Sequence, residues 1–389
     1  MCFTIKYCNY ITQAKEAFAL KYWRGFLVAL IFAIISWALT QFAAAHSALV
    51  DMVYPYMTRL VISSLADWSS VVSVCLWQVL LFLLIAGGIA SIVLMIVLRW
   101  NPVQWLGWIL AATCGISMFH TLLYGLNQYT GPIYEDVRLE MTDYTVSELN
   151  EAVLYFRDQA NNLAATMPRD QKGNLKAPDF ETLAQQAGEG FETLTYEDAI
   201  SLFAGSTAPV KKLSGGRKGQ SGITVALTGE AAVNPKVPSI ALPFAMCKEM
   251  SHRMTIAREE EAKYAAYMAC AANSSDLFRY SAYCIAYYHC YNTLLRVPSS
   301  TAQSCAQQAN AGVNKNLRSD MEDYEAFFGK YKEPDGDSMA DLLISWYIQE
   351  FITPLHLDEE DSFNPTDPSN VDLTYTAPTP TPLKTRNKQ

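Results

Sequence analysis

The chain has 389 residues and carries 29 Lys and Arg against 38 Asp and Glu, a formal net charge of -9 at pH 7. That balance, with no basic stripe interleaved with aromatics, excludes a nucleic-acid partner. Apolar residues make up 51% of the chain and are concentrated towards the N-terminus, which points to a membrane anchor joined to a separate domain rather than one compact module.

Three N-terminal stretches are long enough, at about 1.5 Å per residue, to cross a hydrocarbon core of roughly 30 Å. They run from about Gly25 to Ala45, from about Ser69 to Leu98 and from about Val103 to Leu126. The third is weaker, carrying Gln104, His120 and several small residues. A cleaved signal peptide fits poorly, because further spans follow and no small-residue cleavage site precedes them. Lys6, Lys15, Lys21 and Arg24 precede the first span, and Arg99 sits between the second and third. The intervening loop, about Ser47 to Trp68, offers only Arg59 against Asp51 and Asp67. The positive-inside bias therefore places the N-terminus in the cytoplasm and everything after about Asn127 outside it. Trp23, Trp68, Trp100 and Trp105 fall near the span ends, as interfacial anchors do. The expected organisation is a membrane anchor with three transmembrane helices over 1–126 and an extracytoplasmic domain over 127–356. An acidic, then Pro/Thr-rich disordered tail follows over 357–389.

Beyond the anchor, Asn127 to Glu140 reads as a connector. A helix with Ser147 as N-cap follows, continuing to about Ala165. Further helical stretches are expected from Asp179 to Glu189 and near Tyr196 to Leu202. Ser206 to Gly222 is a Gly/Ser/Lys-rich loop without the spacing of a phosphate cradle. Ile223 to Thr228 alternates like a strand. The rest is nearly all helix: Leu242 to Met254, Arg258 to Ala271, Asp276 to Leu295, Ser300 to Phe328 and Ser338 to Phe351. The predicted fold class is mainly α, an N-terminal three-helix anchor plus an α+β domain with a small sheet. Of the nine cysteines, Cys247, Cys270, Cys284, Cys290 and Cys305 fall in the outer domain, in no zinc-ribbon spacing. Buried reduced thiols are preferred to a Cys290–Cys305 bridge.

The chemistry concentrates in Lys248-Glu249-Met250-Ser251-His252, which reads as the zinc-protease helix H-E-x-x-H with its first histidine replaced by lysine. Residues four apart share a helix face, so 248 and 252 are placed as paired ligands to one ion, and Glu249 as the base that activates metal-bound water. In one broad zincin class the third ligand is a glutamate on the following helix, and Glu259 occupies that position in Glu259-Glu260-Glu261-Ala262-Lys263. Glu260 and Glu261 read as solvated or outer groups at a helix N-terminus. A lysine amine coordinates only when deprotonated, against a reference pKa of about 10.4, so the cheaper outcome is an ammonium paired with Glu249 and Glu259.

Several segments in order resemble the family known as domain of unknown function 3810, bacterial membrane proteins similar to zincin metallopeptidases. They are Gly222-Ile223, Thr228-Gly229-Glu230-Ala231-Ala232-Val233-Asn234, Leu242-Pro243-Phe244, the 247–252 and 258–263 stretches, and Phe278-Arg279-Tyr280-Ser281. Tyr124-Gly125-Leu126-Asn127-Gln128-Tyr129 is similar to the family's W-G-L-N-Y-Y. The resemblance implies a zincin-like outer domain, with Arg279 and Tyr280 either orienting a carboxylate or packing in the core. Lys248, Ala232, Lys263 and Thr255 depart from the family pattern, Thr255 standing where glycine is usual.

The expected function is that of a membrane-anchored pseudopeptidase, impaired because Lys248 replaces the first zinc ligand, which binds a peptide or envelope component. On this reading Glu249 is the catalytic remnant, His252 and Glu259 are the remaining metal positions, and zinc binding is doubtful. The alternatives are an active zinc endopeptidase with an atypical ligand such as Cys247, and a purely structural or sensory membrane protein. The bilayer is the expected partner in every case.

Overall fold

The computed structural model describes residues 2–329 and 338–354, with side chains described from residue 22 on and not for residue 338. The expected tail over 357–389 lies outside the described residues. The chain divides into two compact units, one made of Met1–Leu65, Cys75–Gly131 and Val225–Glu230, the other of Ala66–Val74, Pro132–Thr224 and Ala231–Gln389. The whole is mainly helical with a small three-stranded sheet.

The first unit holds α1 (Cys2–Ala45), most of α2 (Ser47–Ser70), α3 (Leu76–Val97) and α4 (Pro102–Leu123). Tyr22–Ala45, Leu76–Val97 and Pro102–Leu123 are long and apolar enough to cross a membrane. α3 has no buried residue along its length, as expected of a helix solvated by lipid. The small residues of α4 serve packing: Gly107, Ala111 and Gly115 form a buried stripe at four-residue spacing. A Cβ on Gly25 would lie 2.4 Å from the carbonyl carbon of Gly107, so α1 and α4 touch backbone to backbone, as small-residue stripes allow between apolar helices. Phe32 packs on Gly115, and the hydroxyls of Ser36 and Thr121 are 3.0 Å apart. Contacts that advance together along both helices make the pair parallel.

The segment expected as a loop over 47–68 is instead α2, with Pro55 inside it. No glycine interrupts Ser47–Ser70, and Val50, Thr58, Ile62, Ala66 and Ser69 repeat at helical spacing to form a buried face. The second span begins at Leu76 rather than near Ser69, because the apolar residues Val71, Val72 and Val74 lie in a turn. Asn101 accepts hydrogen bonds from the backbone of Val103 and Gln104, and Pro102 follows it, so α4 starts with a cap and a preset φ. α3 has no such local cap. Its start is held by Glu230, whose carboxylate oxygens accept the Leu76 and Trp77 N–H groups at 2.7 Å each. A negative charge there also suits the helix dipole.

The second unit opens with α5 (Ile133–Asp136), α6 (Val146–Thr166), α7 (Phe180–Gln186) and α8 (Glu189–Tyr196). The N-cap of α6 is Thr145, not Ser147: Thr145 and Glu148 form a reciprocal capping box, which satisfies more free N–H groups than a single serine would. Strands β1 (Lys211–Lys212), β2 (Gly222–Val225) and β3 (Glu230–Val233) form a sheet in the order β1-β3-β2. β1 runs parallel to β3 with Lys211 opposite Ala232 and Lys212 opposite Val233. The expected strand over 223–228 is shorter, because the chain turns at Ala226–Gly229, where Gly229 has φ +66°. α9 (Leu242–Arg253), α10 (Glu259–Ala271), α11 (Asp276–Arg296), α12 (Ser300–Ala311), α13 (Lys315–Phe328) and α14 (Ser338–Tyr347) complete the unit. Its core is built on α6, α9, α10 and α11, with Leu149, Phe156, Met250, Tyr264, Phe278 and Ile285 fully enclosed. Cys247, Cys270, Cys284 and Cys290 are buried free thiols and Cys305 is a half-buried one, which agrees with the reduced-thiol expectation.

Candidate functional site

α9 and α10 bring the singled-out residues together. The Lys248 Nζ lies 2.7 Å from one oxygen of Glu259 and 3.3 Å from Glu249 Oε1. His252 Nε2 lies 3.0 Å from the other oxygen of Glu259. One carboxylate on α10 thus bridges two side chains presented one turn apart on α9. Burial alone would push the Lys248 amine down, but the charges of Glu249 and Glu259 outweigh it and hold the amine well above its ordinary value. Burial would likewise raise the Glu259 carboxyl. Hydrogen bonding from His252 and the charge of Lys248 overcome that and hold it well below the usual range.

The turn after α9 sets the histidine. Thr255 N–H donates to His252 O at 3.0 Å and Ile256 N–H to Ser251 O at 3.2 Å. This is the paired closure of a Schellman turn, with Met254 as C-cap and Thr255 at the left-handed position. It leaves the Ile256 carbonyl facing His252 Nδ1 at 2.8 Å. A carbonyl only accepts, so Nδ1 is the donor. Nε2 faces the Glu259 carboxylate at 3.0 Å. Thr255 has φ +78°, a region costly for a β-branched side chain. Thr255→Gly should therefore stabilise the protein by about 1 kcal/mol. Thermal unfolding should show a small rise in Tm, and an unchanged or lower Tm would refute the strain.

Glu249 is buried by the sheet. Thr224 on β2 donates to the Glu249 backbone carbonyl at 2.8 Å and to its Oε2 at 3.0 Å, a bond shared by one hydroxyl. Gly222 allows the approach: a Cβ there would fall 2.6 Å from Glu249 Cγ and 2.5 Å from the Ala232 carbonyl oxygen. Thr224 escaped the reading of the sequence, where its only signal was membership of a short strand ahead of the helix. Of the remaining α10 acids, Glu261 pairs with Arg258 and Glu260 with Lys263, each at 2.6 Å. Lys263 thus neutralises its own helix rather than reaching the cluster.

The zinc considered from the sequence does not fit this donor set. The Nδ1 of His252 donates to a carbonyl, which leaves Nε2 able to ligate, but Lys248 presents an ammonium at the third corner, whereas catalytic zinc needs three deprotonated protein ligands. Among the described residues, no group of three or more His, Cys, Asp and Glu is placed to hold a metal ion. Cys247 does not replace the missing ligand: it is buried and its thiol donates to the Ala187 carbonyl. Nor do the other motif residues converge here. Glu230 caps α3, Tyr280 donates to buried Asp320 at 2.6 Å, and Arg279 pairs with Asp276 on its own helix. His289 is buried beside Tyr288.

The arrangement defines a mainly helical protein with three apolar helices compatible with a membrane anchor and a Lys-Glu-His-Glu cluster in its second unit. The family model described as "Protein of unknown function (DUF3810)" matches residues 50–349, and the chain belongs to that family. No curated protein and no solved structure matches it.

Proposed function

We propose that this chain is a membrane-anchored, metallopeptidase-derived protein in which charge pairing has replaced metal coordination. Its outer domain binds a peptide or another envelope component instead of hydrolysing it. The observation that carries this reading is the single carboxylate of Glu259 shared between Lys248 and His252 at 2.7 and 3.0 Å. In a working site of this type His252 and Glu259 would both face an ion, with Glu249 beside it as the base. Here the ammonium supplies the positive charge that the ion would have brought. The excess of Lys and Arg ahead of the first span supports a cytoplasmic N-terminus and an extracytoplasmic second unit.

The test is metal content. The full chain, purified in detergent and dialysed against zinc, should retain no stoichiometric metal and show no peptidase activity. Lys248→His restores an imidazole to the empty ligand position. Its zinc affinity should rise by more than the about 10–100-fold that an outer-shell partner controls. Stoichiometric zinc in the unaltered protein that disappears in His252→Ala would overturn the proposal.

A further inference from the structure

The second helix, expected as a loop, has a face that the functional reading does not use. Met52, Val53, Tyr56, Met57 and Leu60 are 49–67% exposed, and they recur at the spacing of one helix face. Thr58 and Ile62, on the opposite face, are at most 5% exposed. Arg59 lies at the edge of the stripe but is 7% exposed, with its guanidinium over the Tyr56 ring at 5.7 Å, and Asp51 accepts the Gly131 N–H, so the stripe exposes no charged side chain.

The connections of α2 to α1 and α3 and the shared direction of α1 and α4 fix where this face can lie. α1 ends one residue before α2, and α3 begins five residues after it. With 24 residues, α2 is about 36 Å long. If it stood away from the bilayer, its far end would be beyond the reach of a five-residue link, about 18 Å. The 22 residues of α3 span about 33 Å, all of which a crossing consumes. If α2 itself crossed, α1 and α4 would be separated by two further crossings and would run antiparallel. They run parallel, from Gly25 against Gly107 to Ser36 against Thr121. A crossing would also bring Arg59, near the middle of α2, to the bilayer centre.

We propose that α2 lies along the membrane surface at the face where α1 and α4 end, with Met52, Tyr56 and Leu60 immersed in lipid. A surface helix of this kind sits about 5–10 Å into the boundary between headgroups and acyl chains. The proposal rests on α1, α3 and α4 crossing the bilayer.

The experiment places a coumarin-bearing amino acid at Met57 in the full chain, reconstituted in phosphatidylethanolamine and phosphatidylglycerol vesicles. Quenching is compared for lipids brominated high or low on the acyl chain and for aqueous iodide. The same probe at Leu84, midway along α3, reports the spans independently. Met57 should be quenched about twofold more by the shallow bromines than by the deep ones, and Leu84 by the deep ones. Deep quenching at Met57 would make α2 a crossing helix, and quenching by iodide alone would leave its face in water. Protection from all three quenchers would mean that protein covers it. Each of these results overturns the proposal, and absence of deep quenching at Leu84 removes the anchor and the proposal together.

Discussion

Asp320→Ala should destabilise the second unit by about 3–5 kcal/mol, the usual cost of removing one partner from a buried ion pair. Asp320 is 2% exposed and receives both Arg169 Nη atoms, at 2.9 and 2.6 Å. The Tyr280 hydroxyl donates to the same carboxylate at 2.6 Å. Burial foremost, with Cys284 and Asp320 nearby, raises the Tyr280 phenol, so it remains a donor. Truncation would leave a buried phenol and a half-buried guanidinium without their shared acceptor, with only the Gly173 carbonyl, at 3.2 Å, still holding Arg169; the Arg169 Nε has no partner among the described residues. Asp320→Asn keeps the volume and part of the bonding and should cost less than half as much. For a unit of this size about 2–4 °C of Tm accompanies each kcal/mol, so Asp320→Ala should lower Tm by about 6–20 °C. A loss of a degree or two, or equal losses for the two variants, would show that the network contributes little.

Gly190→Ala should be comparably damaging for a steric reason. A Cβ on Gly190 would sit 1.8 Å from the carbonyl oxygen of Ala269 and 2.7 Å from its carbonyl carbon. Both belong to the backbone of α10, which cannot rotate aside as a side chain can. α8 must therefore lift from α10, at a cost of about 3 kcal/mol or more. Because α10 also presents Glu259, the same displacement should loosen the charge cluster. Gly87→Ala is the matched control, since its Cβ would meet nothing within 4 Å. A normal Tm for Gly190→Ala, measured beside that control, would mean that the helices are not in contact as described.

The contrast between Gly190 and Gly222 on one side and Gly87 on the other shows what kinds of information the sequence lacks. All are glycines in or beside regular elements, and nothing local distinguishes them. Only the neighbour that arrives from elsewhere in the chain makes one indispensable and another replaceable. Glu230 teaches the same lesson. In the sequence it stands only as part of a segment similar to the family's, yet its carboxylate caps a helix that begins 154 residues earlier.

The expectation of a loop at α2 weighed Ser47 to Trp68 only for its charges, Asp51, Arg59 and Asp67, although helix periodicity was present in its apolar residues. At α6 the nearer serine was preferred over the threonine whose partner lies three residues on, a reciprocal pair that the spacing alone already offered. Thr255 carried a signal that went unused: it stands where the resembled family usually has glycine, and its φ of +78° is the left-handed conformation that glycine adopts without strain.

The order of residues by itself determined the long apolar helices, the helical character of the rest, and the presentation of Lys248 and His252 on one side of α9. These follow from period, length and residue type, which are local quantities. Tertiary structure decided that the one carboxylate of Glu259 is shared between Lys248 and His252, that Thr224 closes over Glu249, and that α1 and α4 run side by side in the same direction. Such facts depend on which backbones approach one another, and approach is set by the packing of segments distant in the chain rather than by any property of a single segment.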